Sequence, residues 1–175
     1  MNEFIRGNSF ELLEEYPDHY FDLVLTDVPY DFVLHQKQYL HNEFLRLTKT
    51  GVIVFSPPEN QWIQPADQYG FWVKPISTKN TSKHYSRFVE MIFFYGNLKW
   101  NTGRHWSQYT NVFVDLVDDA TLHPYRKPPS LIERLIRNHT DVNDIILDPF
   151  AGSGVVAEVC KRTGRNYICI DKELL

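Results

Sequence analysis

Apolar residues in this chain gather into short runs separated by polar and proline-rich stretches, and the period of each run predicts its element. Uninterrupted runs rich in Val, Ile, Leu and Phe predict buried strands at 4–6, 21–26, 52–55, 71–75, 88–95, 145–147 and 167–170. Helical spacing predicts a short helix over 10–15 and a longer one over 38–47, with Leu40, Phe44, Leu45 and Leu47 on or near one face and Gly51 closing it. A third helix over 130–138 turns Leu131, Ile132, Leu135 and Ile136 inward, and Pro128 and Pro129 stand at its start, where a missing N–H does no harm. The last helix covers 155–162 and stops at Gly164, while residues 97–122 read as mostly irregular. Strands alternating with helices make this an α/β chain.

Length and composition narrow the class. At 175 residues the chain reads as one domain, 1–175, long enough to bury a core, and 43% hydrophobic with 15% aromatic residues excludes disorder. No apolar stretch reaches bilayer-spanning length, and the start "MNEFIRGNSF" lacks the apolar core of a signal peptide, so a cytoplasmic protein without a membrane partner is expected. Cys160 and Cys169 fit neither zinc-ribbon nor redox spacing, which predicts two buried free thiols and no metal site.

Charge is unevenly distributed along the chain. Between 68 and 114, six basic residues (Lys74, Lys79, Lys83, Arg87, Lys99, Arg104) face one acid, Glu90, a net of +5 that leaves −9 on the rest of a chain totalling −4. Such asymmetry marks either a nucleic-acid face on an acidic domain or a solvated loop region.

Two strand ends carry candidate chemistry. "TDVPYDF" places an acid, a proline and an aromatic ring directly after the strand at 21–26. "DPFAGSG", residues 148–154, lies between a strand and a helix, where small residues admit a ligand to the backbone and the helix start offers free N–H groups. About 20 residues further on, Asp171 ends the next strand, placed to accept hydrogen bonds from both hydroxyls of a ribose. This is nucleoside-cofactor logic without the G-x-G-x-x-G of dinucleotide enzymes, and no Gly-Lys-Ser/Thr follows to make a P-loop. "SPPE" at 56–59 also follows a strand, but Glu59 cannot stack a base as an aromatic does, so it reads as a structural turn.

Taken together, "TDVPY", "HPYRKPPSLIERLI" and "DPFAGSG", in that order, resemble the DNA amino-methyltransferases in their permuted β-type arrangement. The resemblance covers nearly the whole chain and thins between about 60 and 122. It implies a Rossmann-like S-adenosylmethionine-dependent methyltransferase fold: three αβα layers, a mixed and mostly parallel sheet, and circularly permuted motif order. In it the strand ending at Asp27 lies beside the one ending at Asp148, and 4–6 supplies the strand next to Asp171.

The resemblance also implies roles. Asp27 accepts one N–H of an exocyclic base amine, the backbone carbonyl of Val28 accepts the other, Pro29 stiffens the turn, and Tyr30 stacks a base flipped from the duplex. Asp148, Pro149, Phe150, Gly152, Ser153, Gly154 and Asp171 bind the cofactor; Phe150 is alternatively a core residue. Lys127 and Ser130 reach the cofactor's carboxylate, and Asn8 its adenine. Residues 97–122 form a short insert at the target-recognition position; with Lys79, Lys83, Arg87, Lys99, Arg104 and Trp106 as DNA contacts, it predicts a short target, loose specificity, or help from a second copy or partner subunit. Two departures stand out: the family's first proline is Val28 here, and Asn8 replaces an Asp. Asp at the first motif position favours adenine N6 over cytosine N4 in restriction-modification DNA methylation. A catalytically silent binding subunit is the alternative from another class, and a glutamine methyltransferase fits poorly because that family reverses the motif order.

Overall fold

Hydrophobic runs with no polar interruption form the centre of one eight-stranded sheet in the computed structural model, which describes residues 2–74, 88–115 and 126–173. The strands are β1 (Asn2–Arg6), β2 (Phe21–Asp27), β3 (Thr48–Ser56), β4 (Gln68–Val73), β5 (Val89–Gly96), β6 (Val112–Val114), β7 (Ile145–Asp148) and β8 (Asn166–Asp171). Their order is β1-β8-β7-β2-β3-β5-β4-β6. The five strands from β1 to β3 are mutually parallel, and β5 runs antiparallel to both β3 and β4.

Helices α1 (Ser9–Leu12), α2 (Leu34–Leu47), α3 (Pro129–His139) and α4 (Val155–Thr163) cover the two faces. Alternation along each strand sorts its side chains. Leu23, Leu25, Ile53 and Phe55 join Leu131, Leu135, Val156 and Val159 in one core; Val24, Val52 and Val54 join Leu13, Leu40 and Phe44 in the other. The expected three αβα layers and the β2–β7 and β1–β8 neighbours are therefore present.

From β2 the chain moves through α2 to β3 on one side, and from β7 through α4 to β8 on the other. The order of connections reverses between β2 and β7, and open α/β sheets bind ligands at the strand ends beside such a switch.

Three differences from expectation have a visible physical cause or consequence. α2 begins at Leu34, four residues early, because Gln36 Oε1 accepts from Val33 N at 3.1 Å and caps its start. Gly51 lies inside β3 instead of ending the helix; a Cβ there would sit 2.3 Å from the Tyr95 carbonyl, so close strand approach demands glycine. Within 97–122, a 3-10 turn (Trp106–Tyr109) and β6 are ordered, the latter pairing with β4 at the sheet's edge.

Candidate active site

β2 and β7 end side by side, and their last residues open one cleft of about 560 Å³. Its wall includes Asp27, Asp148 and Asp171, so three strand ends deliver three carboxylates to one cavity. That volume is within the usual range for small-ligand sites.

On the glycine side, Gly152 adopts φ +45°, and a Cβ built there meets nothing nearer than the Phe150 carbonyl at 4.0 Å. Its N–H donates to Asp171 Oδ2 at 2.7 Å, which locks the turn onto the end of β8. Asp171 Oδ1 accepts from Glu173 N at 3.1 Å; a carboxylate has about four acceptor sites, so both oxygens keep capacity for hydroxyl donors. Gly154, at φ +69°, caps the start of α4, and neither it nor Pro149 lines the cleft. Phe150 is half-buried, lines the cleft and meets Phe32 edge-to-face at 5.4 Å. Asp148 is buried, accepts from Thr26 Oγ1 at 2.9 Å and from Phe150 N at 3.2 Å, and burial pushes its carboxyl up to about 7.

The β2 end is built differently. Asp27 Oδ2 accepts from the Lys127 ammonium, while Asp27 Oδ1 is buried without a hydrogen-bond partner among the described residues. Burial raises the Asp27 carboxyl above its ordinary range, Lys127 opposes that, and Glu90 reinforces it. Val28 is buried, Pro29 lines the wall, and Tyr30, 40% exposed, lines it too, with burial raising its hydroxyl above the ordinary range.

Several expected residues have other partners. Lys127 turns to Asp27 and Glu90 rather than offering a free amine to a cofactor carboxylate, because a half-buried acid and a buried one hold it. Ser130 lies outside the cleft wall and donates to Asp115 Oδ1 at 2.8 Å. Asn8 also lies outside the wall: as the cap of α1 its side chain accepts from Phe10 N at 3.2 Å and donates to Glu11 at 2.8 Å. Its neighbour Ser9 lines the cleft instead and donates to the Pro149 carbonyl. Ser9, Thr26 and Phe32 went unrecognised as wall residues; the signal for Ser9 was a small polar residue in the turn where β1 meets α1.

Among the described residues of the basic segment, Lys74, Lys99 and Arg104 have internal partners. Lys99 pairs with Asp141, Lys74 with Glu90, and Arg104 donates to Asn138 at 2.8 Å and Gln108 at 3.3 Å. Trp106 is 71% exposed, and none of Lys99, Arg104 and Trp106 lines the cleft. Lys79, Lys83, Arg87 and the His123–Tyr125 end of the "HPYRKPP" motif lie outside the described residues. Cys160 and Cys169 are buried free thiols. Among the described residues no helix is long and apolar enough to cross a membrane.

Known proteins are similar to this chain in sequence and in fold. The Type II methyltransferase M.BglII of Bacillus subtilis is 33% identical over 109 residues, 61% of this chain and 30% of that protein, so the chain spans under a third of that relative. The crystal structure of the M1.HpyAVI–SAM complex superposes with TM-score 0.79 at 24% identity, covering 99% of this chain and 95% of that one. PvuII DNA methyltransferase, cytosine-N4-specific, superposes with TM-score 0.73 at 17% identity, covering 98% and 82%. The N6/N4 methyltransferase family model, described as DNA methylase, matches residues 38–174. That match takes in the glycine turn, the strand ending at Asp171 and most of the chain, and on it the chain belongs to the N6/N4 DNA methylase family.

Proposed function

We propose that this protein transfers a methyl group from S-adenosylmethionine to the exocyclic N6 amine of adenine in DNA, as the modification partner of a restriction system. The observation that carries the reading is Asp27 Oδ1: a buried acceptor with no partner among the described residues, in the cleft that Asp148 and Asp171 also line. A buried acceptor without a donor is costly, so it calls for an N–H from a ligand.

The residues present suit this cofactor. Gly152 leaves the backbone open to close approach, Asp171 retains acceptor sites for ribose hydroxyls, and Phe150 provides an apolar wall. S-adenosylmethionine, when bound, supplies a methyl already activated on a positively charged sulfur. The chain's task is therefore alignment and charge management. Asp27 Oδ1 accepts one amine N–H, the Val28 carbonyl the other, and Tyr30 stacks the displaced base. The nitrogen must release one proton as it gains the methyl. Asp27 Oδ1 is the acceptor in contact with it, and burial strengthens that oxygen's hold on a proton.

Incubation with labelled cofactor and duplex DNA, followed by digestion to nucleosides, tests the assignment. Label in N6-methyladenine is the expected result. Label in N4-methylcytosine would move the chain to the specificity of its PvuII structural neighbour. Cofactor binding without transfer would make it a silent subunit. Asp27→Ala should abolish transfer while cofactor affinity stays within about twofold.

A further inference from the structure

Behind Asp27 a line of charges runs away from the cleft. Lys127, 4% exposed, donates to Asp27 Oδ2 on one side, and on the other its Nζ lies 3.0 Å from Glu90 Oε2, an ion-pair distance outside hydrogen-bond alignment. Glu90 is itself buried on β5 and takes the Lys74 amine on Oε1. The rings of Phe55 and Trp72, with centroids 5.4 and 5.7 Å from Lys127 Nζ, flank it, and the Tyr30 hydroxyl faces it as well. Signs alternate along the row: Asp27, Lys127, Glu90, Lys74.

Glu90 does not line the cleft, so it does not meet a ligand directly. As a device for stability alone it is a poor choice, since well-packed apolar residues commonly match or exceed a buried ion pair. Its placement does two things for Asp27. An ammonium answering only to Asp27 is free to bridge both carboxylate oxygens; a second acid pulling from the opposite side keeps it on Oδ2. Glu90 also offsets the positive charge that otherwise draws electron density from Asp27 and weakens it as an acceptor.

We propose that Glu90 is a positioning residue for methyl transfer, holding Lys127 on Oδ2 of Asp27 so that Oδ1 stays unclaimed by the ammonium and can accept from the target amine. The inference rests on the catalytic reading of Asp27 given above.

Glu90→Gln is the test. kcat should fall about 10- to 100-fold, the usual range for a displaced catalytic group, with the KM for S-adenosylmethionine unchanged. A second measurement needs no turnover: the pH midpoint of the Asp27 carboxyl carbon, followed by NMR. The charged or titratable groups facing Asp27 are Lys127 before α3, Glu90 on β5, Lys74 after β4, Asp148 on β7 and Tyr30 in its own loop. Glu90→Gln alters only one of them and removes a negative charge, so the midpoint should move to lower pH. Lys74→Gln, at a partly exposed site less prone to misfolding, removes a positive charge and should move it to higher pH. Glu90→Asp keeps the charge and should restore part of kcat.

A purely structural Glu90 would lower thermal stability and leave the Asp27 midpoint in place. Wild-type kcat in Glu90→Gln, or a midpoint that neither variant moves, overturns the inference. If the wild-type protein transfers no methyl group yet the midpoints shift as stated, the catalytic reading falls and the clamp on Asp27 stands.

Discussion

Thr26 Oγ1 donates a 2.9 Å hydrogen bond to Asp148 Oδ1, so the strand that ends on Asp27 also ties down the acid that opens the glycine turn. Asp148 is pushed up to about 7 chiefly by burial; the Thr26 and Phe150 N–H bonds lower it, and Asp27 and Asp171 raise it. The folded protein thus binds a proton at Asp148 more tightly than the unfolded chain, whose carboxyl titrates near 4. This stabilising contribution is therefore complete below about pH 4 and is lost as pH rises through about 7. Asp148→Asn removes the cost of burying a charge while leaving Thr26 an acceptor. Urea unfolding at pH 5 and pH 8 should show the variant gaining on wild type mainly at pH 8. An equal change at both values would refute the shift.

Ser9 joins the first helix to the cleft through the Pro149 carbonyl, and both ends of that bond are out of solvent. Ser9→Ala leaves the carbonyl without its donor, at a cost of about 1–2 kcal/mol. Thermal unfolding should register that loss, and cofactor affinity, measured by calorimetry, should weaken because the turn carrying Phe150 and Gly152 loses an anchor. Unchanged affinity would confine Ser9 to a structural role.

The strands, helices and glycine turn were legible from local signals, since apolar runs mark strands and small residues mark the turn. The layers, the strand neighbours and the meeting of Asp27, Asp148 and Asp171 were legible only through the family resemblance that the three motifs carry together. Side-chain partners across the sheet were not legible. Lys127 and Glu90 lie 37 positions apart in the sequence, and only the antiparallel β5 brings them together. Asn8 and Ser9 show the same limit within two residues. Either could face the cleft in sequence, but the cap on α1 takes the Asn8 side chain and leaves the inward place to Ser9. The β6 strand was missed because three residues at a sheet edge carry too short a pattern to read.

Gly152 separates a backbone requirement from a packing one. Its φ of +45° costs an alanine about 1–2 kcal/mol, yet the added Cβ meets no atom closer than 4.0 Å. Gly152→Ala should therefore fold with a modest drop in melting temperature. Cofactor affinity should fall about tenfold or more, because the methyl group occupies the wall against which the ligand must lie; tenfold corresponds to about 1.4 kcal/mol. Calorimetric titration with S-adenosylmethionine checks this, and wild-type affinity would mean the ligand does not approach this turn.

Asn60 gives the proline-rich turn after β3 a purpose that its own sequence hides. Its side-chain amide donates to the carbonyl of Tyr30, while its backbone carbonyl accepts from Ser56 Oγ at 2.6 Å and Lys37 Nζ at 3.2 Å. Lys37 is buried and also donates to the Gln61 carbonyl at 3.0 Å, so the turn is fixed to α2 and Tyr30 is fixed to the turn. Val28 stands where relatives have a stiffening proline, and Asn60 supplies restraint to the same loop from outside it. Asn60→Ala should lower kcat/KM for DNA about tenfold through a looser Tyr30, with cofactor affinity unchanged. Because both devices restrain one loop, Val28→Pro should recover more activity in the Asn60→Ala background than it adds to wild type. Equal effects of Val28→Pro in the two backgrounds would show that the restraints act independently, and that Asn60 holds Tyr30 for some reason other than the missing proline.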